Sequence, residues 1–114
     1  MLGQVLIYKI LLPPEWQAFQ EAGRFEGSAV DQESGFIHLS GREQLAATAR
    51  RYFAGQSPLV IAAVAVSAVA GSLRWEAGSD GGVFPHVYGS LPLSAVEAAI
   101  VVAGAGSIDD VVPP

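Results

Sequence analysis

Seven polar side chains interrupt runs that are otherwise apolar: Tyr8, Lys9, His38, Arg74, Glu76, His86 and Tyr88. Burying such groups without partners is costly, so each needs either a structural or a chemical reason to be there. The chain has no cysteine and two histidines. Thiolate nucleophiles and cysteine metal sites are therefore excluded, and any catalysis must use oxygen or nitrogen side chains. His38 stands in GFIHLS (35–40) and His86 in FPHVYG (84–89), both beside aromatic residues. A histidine so placed is either a hydrogen-bonded core group or an acid/base group, and both readings stay open. In LRWE (73–76) an extended backbone puts Arg74 and Glu76 on one face, as an exposed ion pair or with Glu76 as a cleft carboxylate. His86 and Tyr88 share a face in the same way, ordering a loop or meeting a ligand.

Other constellations carry less. His38 and His86 with Asp31, Glu33 or Glu76 would make a two-histidine, one-carboxylate metal set, but the spacings are not diagnostic. Ser40 beside His38 is a weak nucleophile candidate, because Ser40-Gly41-Arg42-Glu43 fits the S-x-x-E capping box and commits that hydroxyl to a helix start. A helix beginning there would present amides and a dipole that favour an anionic group such as phosphate near His38. Arg42, Arg50 and Arg51 fall in one segment, as a solvated helix face or a local basic spot. No GxGxxG, GxxxxGK[ST], GxSxG or HExxH occurs, so dinucleotide-loop, P-loop, hydrolase-elbow and zincin chemistry lack support.

The elements that must position these residues follow from pattern. Residues 4–12 (QVLIYKILL) form a strand covered on both faces. Pro13-Pro14 then opens a short helix with Trp16 and Phe19 on one face and Gly23 as its stop. Residues 27–35 (GSAVDQESG) are glycine-bounded and acidic, which predicts a loop. Residues 36–39 make a short strand with Phe36 and His38 on one face and Ile37 and Leu39 on the other. A helix from about 42 to 53 follows, then a fully buried strand over 58–66 and the strands carrying LRWE and FPHVYG. Gly78 to Gly82 is a flexible loop, 91–95 a turn and 96–102 a final strand. The expected organisation is one domain over residues 1–103 with a loosely ordered tail over 104–114.

Of the 114 residues 51% are apolar and mean hydropathy is +0.39, enough material to offset the ordering entropy of folding. The longest apolar run, residues 59–66, falls well short of the ~20 residues a membrane-spanning helix needs. Met1-Leu2-Gly3-Gln4 lacks the pattern of a signal peptide, so a cytoplasmic location is expected. A formal charge of −5 disfavours bulk nucleic acid and anionic membranes as partners.

The ordered series IYKI (7–10), Trp16, FEGS (25–28), GFIHLS, a helix from Gln44-Leu45 to Tyr52-Phe53, LRWE and FPHVYG resembles the domain-of-unknown-function family 952 over about residues 5–102. That family is in turn similar to the ADP-ribosyltransferase superfamily. The resemblance implies an α+β fold, with small split antiparallel or mixed sheets and two or three short helices around a cleft for NAD. It assigns Tyr8 and Lys9 to the first-strand motif, His38 and Ser40 to the second, and Glu76 to the later acidic position. His86 and Tyr88 belong to the family's own signature. The chain departs from the superfamily in lacking an H-G-T-type first motif. Two functions follow as expectations. The first is a cleft for a nucleotide-type ligand (NAD or ADP-ribose-like), with His38, Glu76 and His86 catalytic in glycosidic or ADP-ribosyl transfer and Tyr8, Lys9, Ser40, Tyr52 and Tyr88 binding. The second is a non-catalytic module with structural histidines that binds a protein partner.

Overall fold

Lys9 must have somewhere to go, because it sits mid-strand in a run whose neighbours are all buried, and the architecture supplies that place between two layers. A computed structural model describes residues 4–78 and 81–114. Met1 to Gly3, on which the signal-peptide expectation partly rests, and Ser79-Asp80 of the expected 78–82 loop lie outside the described residues.

Strand β1 (Leu6–Leu11) leads into helix α1 (Pro13–Ala22), β2 (Arg24–Phe25), α2 (Ala29–Ser34) and β3 (Ile37–His38). A 3-10 turn (Arg42–Gln44) opens α3 (Leu45–Tyr52), followed by β4 (Leu59–Ala65), the short α4 (Val66–Val69), β5 (Leu73–Ala77) and β6 (Val83–Val87). The chain ends through β7 (Leu91–Pro92), a 3-10 turn (Leu93–Ala95), β8 (Val96–Val102), a 3-10 turn (Ala105–Ser107) and α5 (Ile108–Val111). The strands form three small sheets in the orders β1-β4-β8, β2-β7 and β3-β6-β5, every pair among the described residues antiparallel. The α+β class and the split small antiparallel sheets match the expectation. No mixed pairing occurs among the described residues, and α-helix appears in five segments rather than two or three.

The central strand β4 is buried along its whole length and divides the core by side-chain alternation. Val60, Ala62 and Val64 face a cluster with Ile7, Leu11, Phe19, Ile37 and Val87, whereas Leu59, Ile61 and Ala63 face one with Tyr8, Ile10, Leu45 and Ala49. The first sheet is thus covered by α1 and the β3-β6-β5 sheet on one side and by α3 on the other. Tyr8 and Ser40 join β1 to the segment after β3, exchanging two backbone hydrogen bonds of 2.8 Å.

Three expectations change. Residues 27–35 hold helix α2 instead of a loop, because Ser28 and Asp31 satisfy each other's amides: Ser28 N–H donates to Asp31 Oδ2 (2.9 Å) and Asp31 N–H to Ser28 Oγ (3.3 Å). The helix start after His38 is displaced by one residue. Gly41 N–H donates to Gln44 Oε1 at 2.8 Å, while Ser40 is drawn into the bridge to Tyr8 and donates instead to Thr48 Oγ1 (3.3 Å). Residues 104–114 are not a loose tail: Ile108 and Val112 enter the Tyr8 side of the core, and Arg42 donates to the Val112 and Pro113 carbonyls at 2.8 Å each. Among the described residues no helix is long and apolar enough to cross a membrane.

Candidate active site

Asp31 is the centre of the site. It is 1% exposed, and its carboxylate collects four donors: Lys9 Nζ at 2.9 Å, His38 Nδ1 at 2.7 Å, and the amides of Ser28 (2.9 Å) and His38 (3.1 Å). Lys9 completes its own shell on the His38 carbonyl at 3.0 Å. Burial alone would raise the Asp31 carboxyl, but the Lys9 ammonium and the hydrogen bonds from His38 and Ser28 outweigh it and hold the group below its ordinary value. An ionised Asp31 can only accept, so His38 Nδ1 must carry the proton. In the neutral ring Nε2 then keeps its lone pair, with no hydrogen bond to any described residue.

A second histidine–carboxylate pair faces the first. His38 and His86 are directly paired residues of β3 and β6, with ring centroids 5.5 Å apart. His86 Nδ1 lies 2.8 Å from Glu76 Oε1, which also accepts the Tyr88 hydroxyl at 2.8 Å. The hydrogen bond from His86, then that from Tyr88, lowers the Glu76 carboxyl, and the same contact raises the Tyr88 phenol. Phe36 fixes the two imidazoles: its ring stacks on His86 (centroids 4.0 Å, 25°) and tilts against His38 at 4.6 Å. Arg74 lies over the Tyr88 ring at 5.6 Å.

Both imidazoles open on a cleft of about 660 Å³ between the β1 edge, α2, α3 and the β3–β6 pair. Of the residues singled out from sequence, Tyr8, Lys9, His38, Ser40, Tyr52 and His86 line it. Glu76 and Tyr88 do not, although Glu76 is hydrogen-bonded to His86 Nδ1 and Tyr88 to Glu76. Asp31, Phe36, Thr48, Arg51 and Phe84 line it as well. Asp31 entered the sequence reading only as one of three possible metal carboxylates. Two signals could have found it: the Ser28-x-x-Asp31 spacing of a capping box, and the need of mid-strand Lys9 for a buried counter-charge. At the helix start beside His38, where an anion was expected, the Gly41 amide is bound by Gln44 and residues 41–44 do not line this cleft. Asp31 and Glu76 each hold a different histidine by Nδ1, and among the described residues no three groups are arranged to hold a metal ion.

Three small antiparallel sheets around a cleft with two opposed histidine–carboxylate pairs define the class of protein: an α+β domain with an acid/base-capable pocket. The family model described as "Protein of unknown function (DUF952)" matches residues 10–99, and the chain belongs to that family. The crystal structure of protein CC0527 from Caulobacter crescentus is similar at 49% identity and TM-score 0.78, covering 83% of this chain and 85% of that one. A solution NMR structure of CC0527 is similar at 49% identity and TM-score 0.75, covering 83% and 82%. No curated protein matches the chain.

Proposed function

We propose that the cleft binds a small nucleotide-type molecule and that His38 is its acid/base group. The observation that carries this is the His38 ring on the cleft wall, with Nδ1 held 2.7 Å from a fully buried, Lys9-paired carboxylate. That arrangement fixes the tautomer and directs Nε2 chemistry to a ligand rather than to the protein. The cleft suits a flat base and a sugar: Phe36, Phe84 and Tyr52 supply aromatic surface, and Ser40 and Thr48 supply hydroxyls. NAD and ADP-ribose are the leading ligands because of the ADP-ribosyltransferase resemblance.

Glycosidic or ADP-ribosyl transfer would normally need a carboxylate beside the sugar carbon. Glu76 does not line the cleft and its Oε1 holds both His86 and Tyr88, so its role in such a reaction is to orient His86. His38 and His86 would then carry the proton transfers. The rival, a protein-interaction module, draws on Trp75 and Val83, half-exposed on the β5–β6 hairpin.

A thermal-shift titration of wild type and His38→Ala with NAD, ADP-ribose, AMP and adenosine tests the proposal. Ligand at about 100 times its Kd stabilises by ~2.7 kcal/mol, a readable melting shift. The expected outcome is a shift in wild type that a still-folded His38→Ala lacks. If none of these compounds moves wild type, the nucleotide assignment fails and the interaction module leads.

A further inference from the structure

We infer that Arg51 is the phosphate-recognition residue of the cleft, an inference that rests on the cleft being a ligand site. The charged groups that line the cleft are otherwise committed. Lys9 is paired with Asp31, and Glu15 accepts the Leu12 amide at 2.8 Å at the start of α1. Arg51 has no carboxylate within ion-pair distance among the described residues, in a chain whose formal charge is −5. Its guanidinium lies 5.3 Å from the Tyr52 ring centroid, against the ring of another lining residue. A guanidinium resting on an aromatic face keeps its edge N–H donors for a planar or tetrahedral oxyanion, which it can grip in bidentate fashion. Thr48 lies one turn earlier on the same face of α3, and because its Oγ1 accepts from Ser40, its own hydroxyl hydrogen is available to the same anion. The adjacent Arg50 does not line the cleft, so two neighbouring arginines of like charge differ in access to it.

The test is an amide NMR titration of the full chain with pyrophosphate and, separately, adenosine, in wild type, Arg51→Gln and Arg50→Gln. Pyrophosphate is expected to move the Thr48, Arg51 and Tyr52 amides, to bind roughly tenfold more weakly to Arg51→Gln, and to bind Arg50→Gln nearly as wild type. Equal binding by Arg51→Gln, equal losses in both variants, or no pyrophosphate binding at all overturns the inference. The adenosine arm separates the two claims. Adenosine binding without pyrophosphate binding leaves the cleft as a nucleoside site and removes Arg51's role. Arg51-dependent pyrophosphate binding with inert adenosine keeps Arg51 as an anion site and removes the nucleotide assignment.

Discussion

Asp31 does three jobs with one carboxylate: it caps α2, neutralises Lys9 and fixes the His38 tautomer. Removing its charge leaves a buried ammonium unpaired, so Asp31→Asn is expected to cost about 3–5 kcal/mol in urea unfolding, and adding Lys9→Met, which removes that ammonium while Asn keeps an acceptor for the amides, should recover part of the loss. The pH dependence has a definite sign. Asp31 ionises more readily folded than unfolded, so as pH falls the unfolded chain takes up the proton first, near 3.8. The stability it contributes is complete above that value and is lost as pH falls through the lower folded one. Unfolding free energies measured downward from about pH 5 should therefore decline, and Asp31→Asn should flatten part of that decline. At this scale the sequence marked His38, His86, Tyr8, Lys9, Ser40 and Tyr52, all of which reach the cleft. Tyr8, Lys9, His38 and His86 stood out as polar residues inside apolar runs, and Ser40 and Tyr52 through a capping spacing and the family resemblance. Neither signal located Asp31, whose contacts with Lys9 and His38 span 22 and 7 residues and have no periodic signature.

Helix α2 exists to deliver Asp31, and its entry depends on Gly27. That residue has φ +106°, and a Cβ there would lie 2.9 Å from the Asp31 Cβ. Gly27→Ala is expected to destabilise by about 1–2 kcal/mol from the left-handed backbone alone, with more from the clash, and to disturb the His38 side-chain resonances that Asp31 controls. A six-residue helix of mixed polarity has too little apolar periodicity to be told from a loop, which is why its capping box was the only readable sign. At α3 a capping spacing was present but off by one: Ser40 was recruited by Tyr8 across the β1 edge, and Gln44 took over the capping of Gly41. Local hydrogen-bonding patterns lose to tertiary pairing in such places. β1 and β4 were legible because burial on both faces leaves a continuous apolar run, whereas the largely exposed β8 was legible from the β-branched residues at its end.

At the scale of the molecule, the segment after β8 closes one side of the core. Ile108 is fully buried beside Leu45 and Leu59, so Ile108→Ala should lower stability by about 2–5 kcal/mol in chemical denaturation. Such a cost would be absent from a loose tail. The β3-β6-β5 sheet holds β3 and β6 so that two histidines face each other across one strand pair, each anchored by a carboxylate. The most direct measurement is the long-range nitrogen–proton spectrum of the two imidazoles, recorded near neutral pH with and without ADP-ribose or AMP. Nδ1–H tautomers for both rings, with the unprotonated Nε2 of His38 moving on ligand addition, are the expected result. An Nε2–H tautomer for His38, or an Nε2 signal unmoved by a ligand that stabilises the protein, would contradict the assignment of His38 as the acid/base group of the cleft.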